Sequence, residues 1–120
     1  MSSHVHLIAA AENNILSNIL RDFKSYTAKQ LLQLITNNPQ ESRKEWLLFI
    51  FRHFAKNTPN TETQFWQQHN CPIDLTSNAL IDQKVNYIHQ NPVSAGLVNE
   101  PQDYFYSSAN LLSPLKVLPL

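Results

Sequence analysis

The chain has only one cysteine and one glycine among its 120 residues, and it lacks any long apolar run. The lone cysteine, Cys71, excludes an internal disulfide framework and a cysteine-based zinc site, which is typical of a reducing compartment. No stretch approaches the roughly 20 apolar residues that span a bilayer, and the amino terminus lacks the pattern of a signal peptide. We therefore expect a soluble, cytoplasmic protein without a membrane partner.

The chain also has no excess of either charge: it contains nine basic and nine acidic side chains. A zero net charge argues against a nucleic-acid partner, since phosphate contacts come from Lys and Arg. The distribution is uneven, however: residues 1–56 hold seven basic and four acidic side chains, and the remainder holds two basic and five acidic ones. This asymmetry is weak evidence for a basic face, and ordinary solvated helix surfaces explain it more simply.

Apolar residues make up 42% of the chain, enough for a single domain over residues 1–120 with a modest core. Apolar spacing of three to four predicts three helices. The first follows Ser17 as N-cap and ends near Asn37, and the second covers about residues 39–56 after Asn38 as N-cap. The third covers about residues 78–91, is capped by Ser77 or Asn78, and ends at Pro92. The single glycine, Gly96, is predicted to be a left-handed turn residue.

The segment His4-Val5-His6-Leu7-Ile8-Ala9 alternates and then becomes apolar, which predicts a strand buried on at least one face. Residues 65–69 are a second, shorter strand candidate. A strand needs hydrogen-bonded neighbours, and the rest of the sequence offers few.

Two pairs of side chains suggest a site for phosphodiester chemistry. His4 and His6 are two residues apart and would share one face of a strand, while Tyr87 and Asn91 are four apart and would share one face of the third helix. Two neutral imidazoles and an amide oxygen can hold Mg²⁺ or Mn²⁺ and leave it Lewis-acidic, and a phenol can attack the phosphate. Each pair alone is also explained by packing or helix capping. Tyr26 competes for the role of nucleophile, but we interpret it as a core or DNA-stacking residue.

Five segments, taken in order, resemble the REP-associated tyrosine transposases, which are single-tyrosine HUH enzymes. The segments are Ser3–Ile8, Leu16–Thr27, Phe65–Gln68, Tyr87–Val98 (YIHQNPVSAGLV) and Asp103–Ala109. The resemblance covers residues 3 to about 110, and the block that begins at Tyr87 is its most specific part.

The resemblance implies an α+β, ferredoxin-like domain in which His4 and His6 are the HUH ligands, Asn91 the third metal ligand and Tyr87 the nucleophile. The reaction would be cleavage and rejoining of single-stranded, hairpin-forming repeats through a 5′-phosphotyrosine. Members of this family carry about fifty residues before the HUH strand, so we expect a helix-rich domain whose antiparallel sheet lacks its N-terminal strands and exposes an edge. Some HUH proteins share sites across a dimer, so a homodimer is a further expectation.

Three residues are predicted to contact DNA outside the catalytic set. Arg21 and Lys24 form a basic pair on a helix, suited to phosphate, although such pairs are often only solvated. Trp66 can stack on a base, and burial in a core is the alternative. One departure from the family is Ser94, where many relatives have Arg. The alternative is that the protein is a catalytically inactive remnant of such a transposase, with a DNA-binding or regulatory role.

Overall fold

The computed structural model describes residues 4–56, 61–115 and 117–118. Its three α-helices are α1 (Leu16–Asn37), α2 (Lys44–Ala55) and α3 (Asn78–Ser94), with short 3-10 helices at Glu12–Asn14 and Pro101–Asp103. Over the described ranges, none of the helices has the length and apolar character needed to cross a bilayer.

The expected α+β, ferredoxin-like sheet is wrong. The described part of the chain contains no β-strand: residues 4–11 have no regular structure, and the short strand predicted at 65–69 is a loop. The physical reason is that a strand exists only when a neighbour pairs with its backbone groups. The aromatic residues that suggested a second strand, Phe65 and Trp66, instead pack their rings against helical side chains.

Contacts between backbone positions divide the chain into two compact units. Residues 9–72 form the helix-pair unit, which contains α1 and α2, and residues 1–8 with 73–120 form the α3 unit. The expectation of one domain over residues 1–120 stays a prediction.

The helix-pair unit is held by an aromatic cluster between α1, α2 and the loop that follows them. The ring of Phe51 lies 5.0 Å from that of Phe65, and Phe65 lies 5.4 Å from Trp66. Trp66 in turn lies 6.4 Å from Phe23 on α1. The loop is also fixed through its backbone, because the N–H of Gln64 donates to the carbonyl of Phe51 at 2.9 Å.

The connection between α1 and α2 uses the predicted capping residues in a turn. Asn38 Oδ1 accepts the N–H of Gln40 at 2.9 Å, and Glu41 Oε1 accepts the N–H of Arg43 at 3.0 Å. These side chains satisfy turn N–H groups, so the helix begins only at Lys44. The predicted start of the second helix at residue 39 is therefore wrong.

Helix α3 begins where the sequence predicted, since Ser77 Oγ accepts the N–H of Leu80 at 3.3 Å. Its predicted end at Pro92 is wrong, and the helix continues to Ser94 with Pro92 buried inside it. Proline removes one donor, yet the following residues keep helical bonds. The end is set by Gly96, whose φ of 68° confirms the left-handed turn. Gly96 N–H donates to Val93 O and Leu97 N–H to Pro92 O, the pair of bonds that defines a Schellman motif.

Candidate functional site in the α3 unit

The side chains of His6 and Tyr87 are in direct contact within the α3 unit. Their ring centres lie 5.4 Å apart with the planes at 79°, an edge-to-face arrangement. His4 makes a similar contact with His6, at 4.9 Å and 79°. Asn91 is one helical turn beyond Tyr87 on the same face of α3. The irregular segment 4–8 therefore brings both histidines to the helix without forming a strand.

Two buried polar atoms of these residues have no hydrogen-bond partner among the residues that the structure describes. They are His6 Nε2 and Asn91 Oδ1. Buried polar atoms are nearly always paired, because an unsatisfied one costs about 1–3 kcal/mol. An imidazole nitrogen and an amide oxygen are both metal donors. These two orphaned atoms therefore fit the predicted ligand roles of His6 and Asn91.

The electrostatics of His6 also suit metal binding. Desolvation by burial, and next the neighbouring His4, lower the pKa of His6 from its ordinary value of 6.5. A lowered pKa favours the neutral imidazole, which is the form that binds a metal ion. At neutral pH, His6 is accordingly ready to act as a ligand without first losing a proton.

The spacing of the two histidine rings is compatible with one shared ion. An imidazole bound at about 2.1 Å holds its ring centre about 3.2 Å from the ion, so two ligands separated by about 90–110° have ring centres about 4.5–5.2 Å apart. The rings of His4 and His6 are 4.9 Å apart. The donor chemistry and the ring spacing thus fit the group that the sequence predicted.

The candidate donor set is small and largely neutral. In the part of the chain that the structure describes, no group of three or more His, Cys, Asp or Glu side chains is placed to hold a metal ion. The site consists of two imidazoles and one amide, so the remaining coordination positions would go to water and phosphate oxygens. Such a site is expected to bind metal weakly without its substrate.

Tyr87 is accessible to a large substrate, since 54% of its surface is exposed. The competing tyrosine, Tyr26, lies on α1 in the helix-pair unit and is 66% exposed. The interpretation of Tyr26 as a core residue is therefore wrong. Its alternative role in stacking on DNA stays a prediction.

His89 is a residue of the α3 unit to which the sequence analysis gave no role. Its Nε2 lies 2.9 Å from the hydroxyl of Ser108. His89 is two residues after Tyr87 on α3 and therefore lies on a different face of the helix. The bond ties α3 to the segment after Pro101–Asp103. Both residues lie in segments that carried the family resemblance, but only the fold could show that they are partners.

The three predicted DNA contacts all belong to the helix-pair unit, whereas His4, His6, Tyr87 and Asn91 belong to the α3 unit. Lys24 Nζ donates to the carbonyl of Gln67 and, at 2.9 Å, to Asn70 Oδ1. Arg21 Nε pairs with Asp22 at 2.8 Å. Trp66 is half-buried in the aromatic cluster, so its predicted role in base stacking has to compete with packing.

No family model matches the chain, and comparisons with curated proteins and with solved structures give no match either. The likeness to REP-associated tyrosine transposases is therefore a hypothesis that depends on the residues quoted for it. The geometry around Tyr87 is an independent observation, because it comes from contacts between segments that are distant in the sequence.

Proposed function

We propose that the protein cleaves and rejoins single-stranded DNA by metal-dependent transesterification, with Tyr87 as the nucleophile. The observation that carries the proposal is the contact of His6 with Tyr87, together with the unpartnered oxygen of Asn91 one helical turn further along α3. A phenol next to potential metal donors suits metal-dependent phosphodiester cleavage by tyrosine.

In the proposed reaction, the phenol oxygen of Tyr87 forms a bond to phosphorus and the bond from phosphorus to the 3′-oxygen breaks. The products are a 5′-phosphotyrosine and a free 3′-hydroxyl, which receives the proton that the phenol loses. The total number of phosphate ester bonds is unchanged, so attack by a 3′-hydroxyl on the phosphotyrosine can rejoin the strand. No external energy source is needed for either step.

A divalent ion, Mg²⁺ or Mn²⁺, held by His4, His6 and Asn91, would supply Lewis acidity toward the phosphate. The chain contributes positioning. The edge-to-face contact with His6 limits the rotation of the Tyr87 ring, and helix α3 fixes Asn91 one turn away. The lowered pKa of His6 keeps its imidazole neutral, so its one free lone pair is available to the metal ion.

The proposed substrate is a hairpin-forming repeat of the kind that mobile elements carry in bacterial genomes. The protein would act in the cytoplasm, at the nucleoid when it is bound to DNA, as a monomer or a homodimer. A second candidate is a non-catalytic protein that binds such DNA. It is favoured by one observation, the absence of the expected sheet from the described part of the chain.

The test is incubation of the protein with a labelled hairpin oligonucleotide and Mn²⁺, followed by a denaturing gel. We expect a covalent adduct in the wild type and in Tyr106→Phe, and none in Tyr87→Phe or after chelation. Tyr106 is the matched control because it lies in the same unit and is 67% exposed. Binding without an adduct supports the non-catalytic alternative, and an adduct that survives in Tyr87→Phe rejects the assigned nucleophile.

A further inference from the structure

An open cavity of about 290 Å³ lies in the helix-pair unit, between the start of α1 and the loop that follows α2. Among the described residues, five with polar side chains line it, two of them basic and none acidic: Ser17, Arg21, Lys24, Gln68 and Asn70. The aliphatic parts of these side chains contribute more of the lining surface than their polar atoms do. The volume is near the lower end for ligand pockets, which run from about 300 Å³ upward. It can admit one phosphate with part of its sugar.

The cavity is built by two contacts that hold the loop against α1. Lys24 donates to the carbonyl of Gln67 and to the side chain of Asn70. The indole N–H of Trp66 donates to Thr27 Oγ1 at 2.9 Å. Residues 17, 21 and 24 follow each other at intervals of four and three, so they share one face of α1. The loop residues 68 and 70 form the opposite wall.

The charge of this lining is positive. Both of these acceptors of Lys24 are neutral, and within residues 4–56 and 61–115 no carboxylate forms an ion pair with its ammonium group. Arg21 uses Nε for Asp22 and Nη1 for Asn18, which leaves other donors of its five N–H groups. The hydrogen bond that Arg21 donates to Asp22 raises the pKa of Arg21, so the guanidinium stays charged at every physiological pH.

We infer that this cavity binds a backbone phosphate of single-stranded DNA. Arg21 and Lys24 supply the charge, while the hydroxyl of Ser17 and the amides of Gln68 and Asn70 supply neutral hydrogen-bonding groups. Backbone recognition of this kind is independent of base sequence and sensitive to salt. The inference rests on the proposed function for its choice of DNA, but it does not depend on cleavage.

The test measures the affinity for a labelled oligothymidylate by anisotropy over a series of salt concentrations, in a Tyr87→Phe background that cannot form an adduct. Loss of one phosphate contact lowers the slope of log K against log salt by about 0.7 for single strands. We expect this decrease in Arg21→Gln and not in Lys29→Gln. Lys29 is the matched control because it is an exposed cation on the same helix outside the cavity lining.

A second variant, Lys24→Gln, is expected to lower the slope similarly and to loosen the loop, which its melting temperature would reveal. Equal slopes for Arg21→Gln and Lys29→Gln would overturn the inference, even if the wild type forms an adduct. A lower slope in Arg21→Gln, combined with no adduct from the protein that keeps Tyr87, would support the inference and reject cleavage. Inorganic phosphate at matched ionic strength is expected to compete only weakly. Binding of inorganic phosphate by a protein that shows no affinity for the oligothymidylate would overturn the assignment to a DNA backbone.

Discussion

The ring of His6 lies edge-on against Tyr87, with 5.4 Å between ring centres, although the two residues are distant in the sequence. This contact places a neutral imidazole beside an exposed phenol. It does so from a segment without regular secondary structure, whereas the sequence had predicted a strand. The relationship between the two side chains is therefore less dependent on a sheet than the sequence pattern suggested.

Removal of the His6 imidazole is expected to weaken metal binding strongly and to leave the fold intact. We expect His6→Ala to weaken Mn²⁺ binding by about a hundredfold or more, because even the loss of an outer partner of a ligand costs 10–100-fold. The signal of free Mn²⁺ in electron paramagnetic resonance measures the change. His69→Ala is the control, since His69 is an exposed histidine of the other unit. Equal affinities of the two variants would exclude His6 as a ligand.

The sequence predicted what depends on local signals. The first helix ends at Asn37 as expected, the third begins after Ser77, and Gly96 has a positive φ. Each of these features is encoded within a few residues, by a cap, an apolar period or a glycine. The residue types and the family resemblance assigned His6 and Tyr87 to one metal site. The structure shows their rings in contact, and their roles at a metal ion stay a prediction.

The sequence failed where the outcome depends on distant partners. The segment His4–Ala9 has the pattern of a strand, but a strand forms only if another pairs with it. The sequence identified Arg21 and Lys24 but did not predict the cavity that they line. Gln68 and Asn70 reach this cavity through a loop that Trp66 holds in place. Nothing in the local pattern of residues 65–70 indicates that attachment.

The cap of α3 can be removed without reaching the site. We expect Ser77→Ala to lower the free energy of unfolding by about 1 kcal/mol, because the N–H of Leu80 loses its acceptor. Ser77→Asp should restore most of it. Fraying affects the first turn, while Tyr87 is about 15 Å further along the helix axis. Urea denaturation measures the change, and Thr76→Ala, outside the cap, should have little effect.

Glu41 gives the turn between α1 and α2 a dependence on pH. Its side-chain hydrogen bond to Arg43, and next its bond to the N–H of that residue, lower the pKa of Glu41 below its ordinary value of 4.5. A carboxyl with a lowered folded-state pKa stabilises fully above the unfolded value. This contribution is lost as the pH falls below 4.5 and through the folded-state pKa.

We therefore expect Glu41→Gln to destabilise the protein relative to the wild type at pH 7 and to lose that difference under acid. The stability of Arg43→Gln at pH 7 should lie between those of the wild type and Glu41→Gln. This variant removes the side-chain donor to Glu41 and keeps the backbone N–H. Urea unfolding at several pH values measures this. A difference between wild type and Glu41→Gln that is constant from pH 7 down to pH 3 would contradict the assigned cause.

The bond from the Trp66 indole to Thr27 Oγ1 couples the loop to α1, and its contribution can be isolated in a double-mutant cycle. We expect Trp66→Phe and Thr27→Val each to reduce stability, since each removes one partner of a half-buried bond. The double variant should be about 1 kcal/mol more stable than the sum of the two losses predicts. Thermal unfolding provides all four free energies.

The same cycle bears on how Trp66 affects DNA. If the indole acts by holding the loop, Thr27→Val should weaken oligothymidylate binding as Trp66→Phe does, because both release Gln68 and Asn70 from the cavity wall. If Trp66 instead stacks on a base, Trp66→Phe keeps an aromatic face and only Trp66→Ala loses affinity, while Thr27→Val binds as the wild type does. The half-buried position of the ring in the cluster with Phe23 and Phe65 leads us to expect the first pattern.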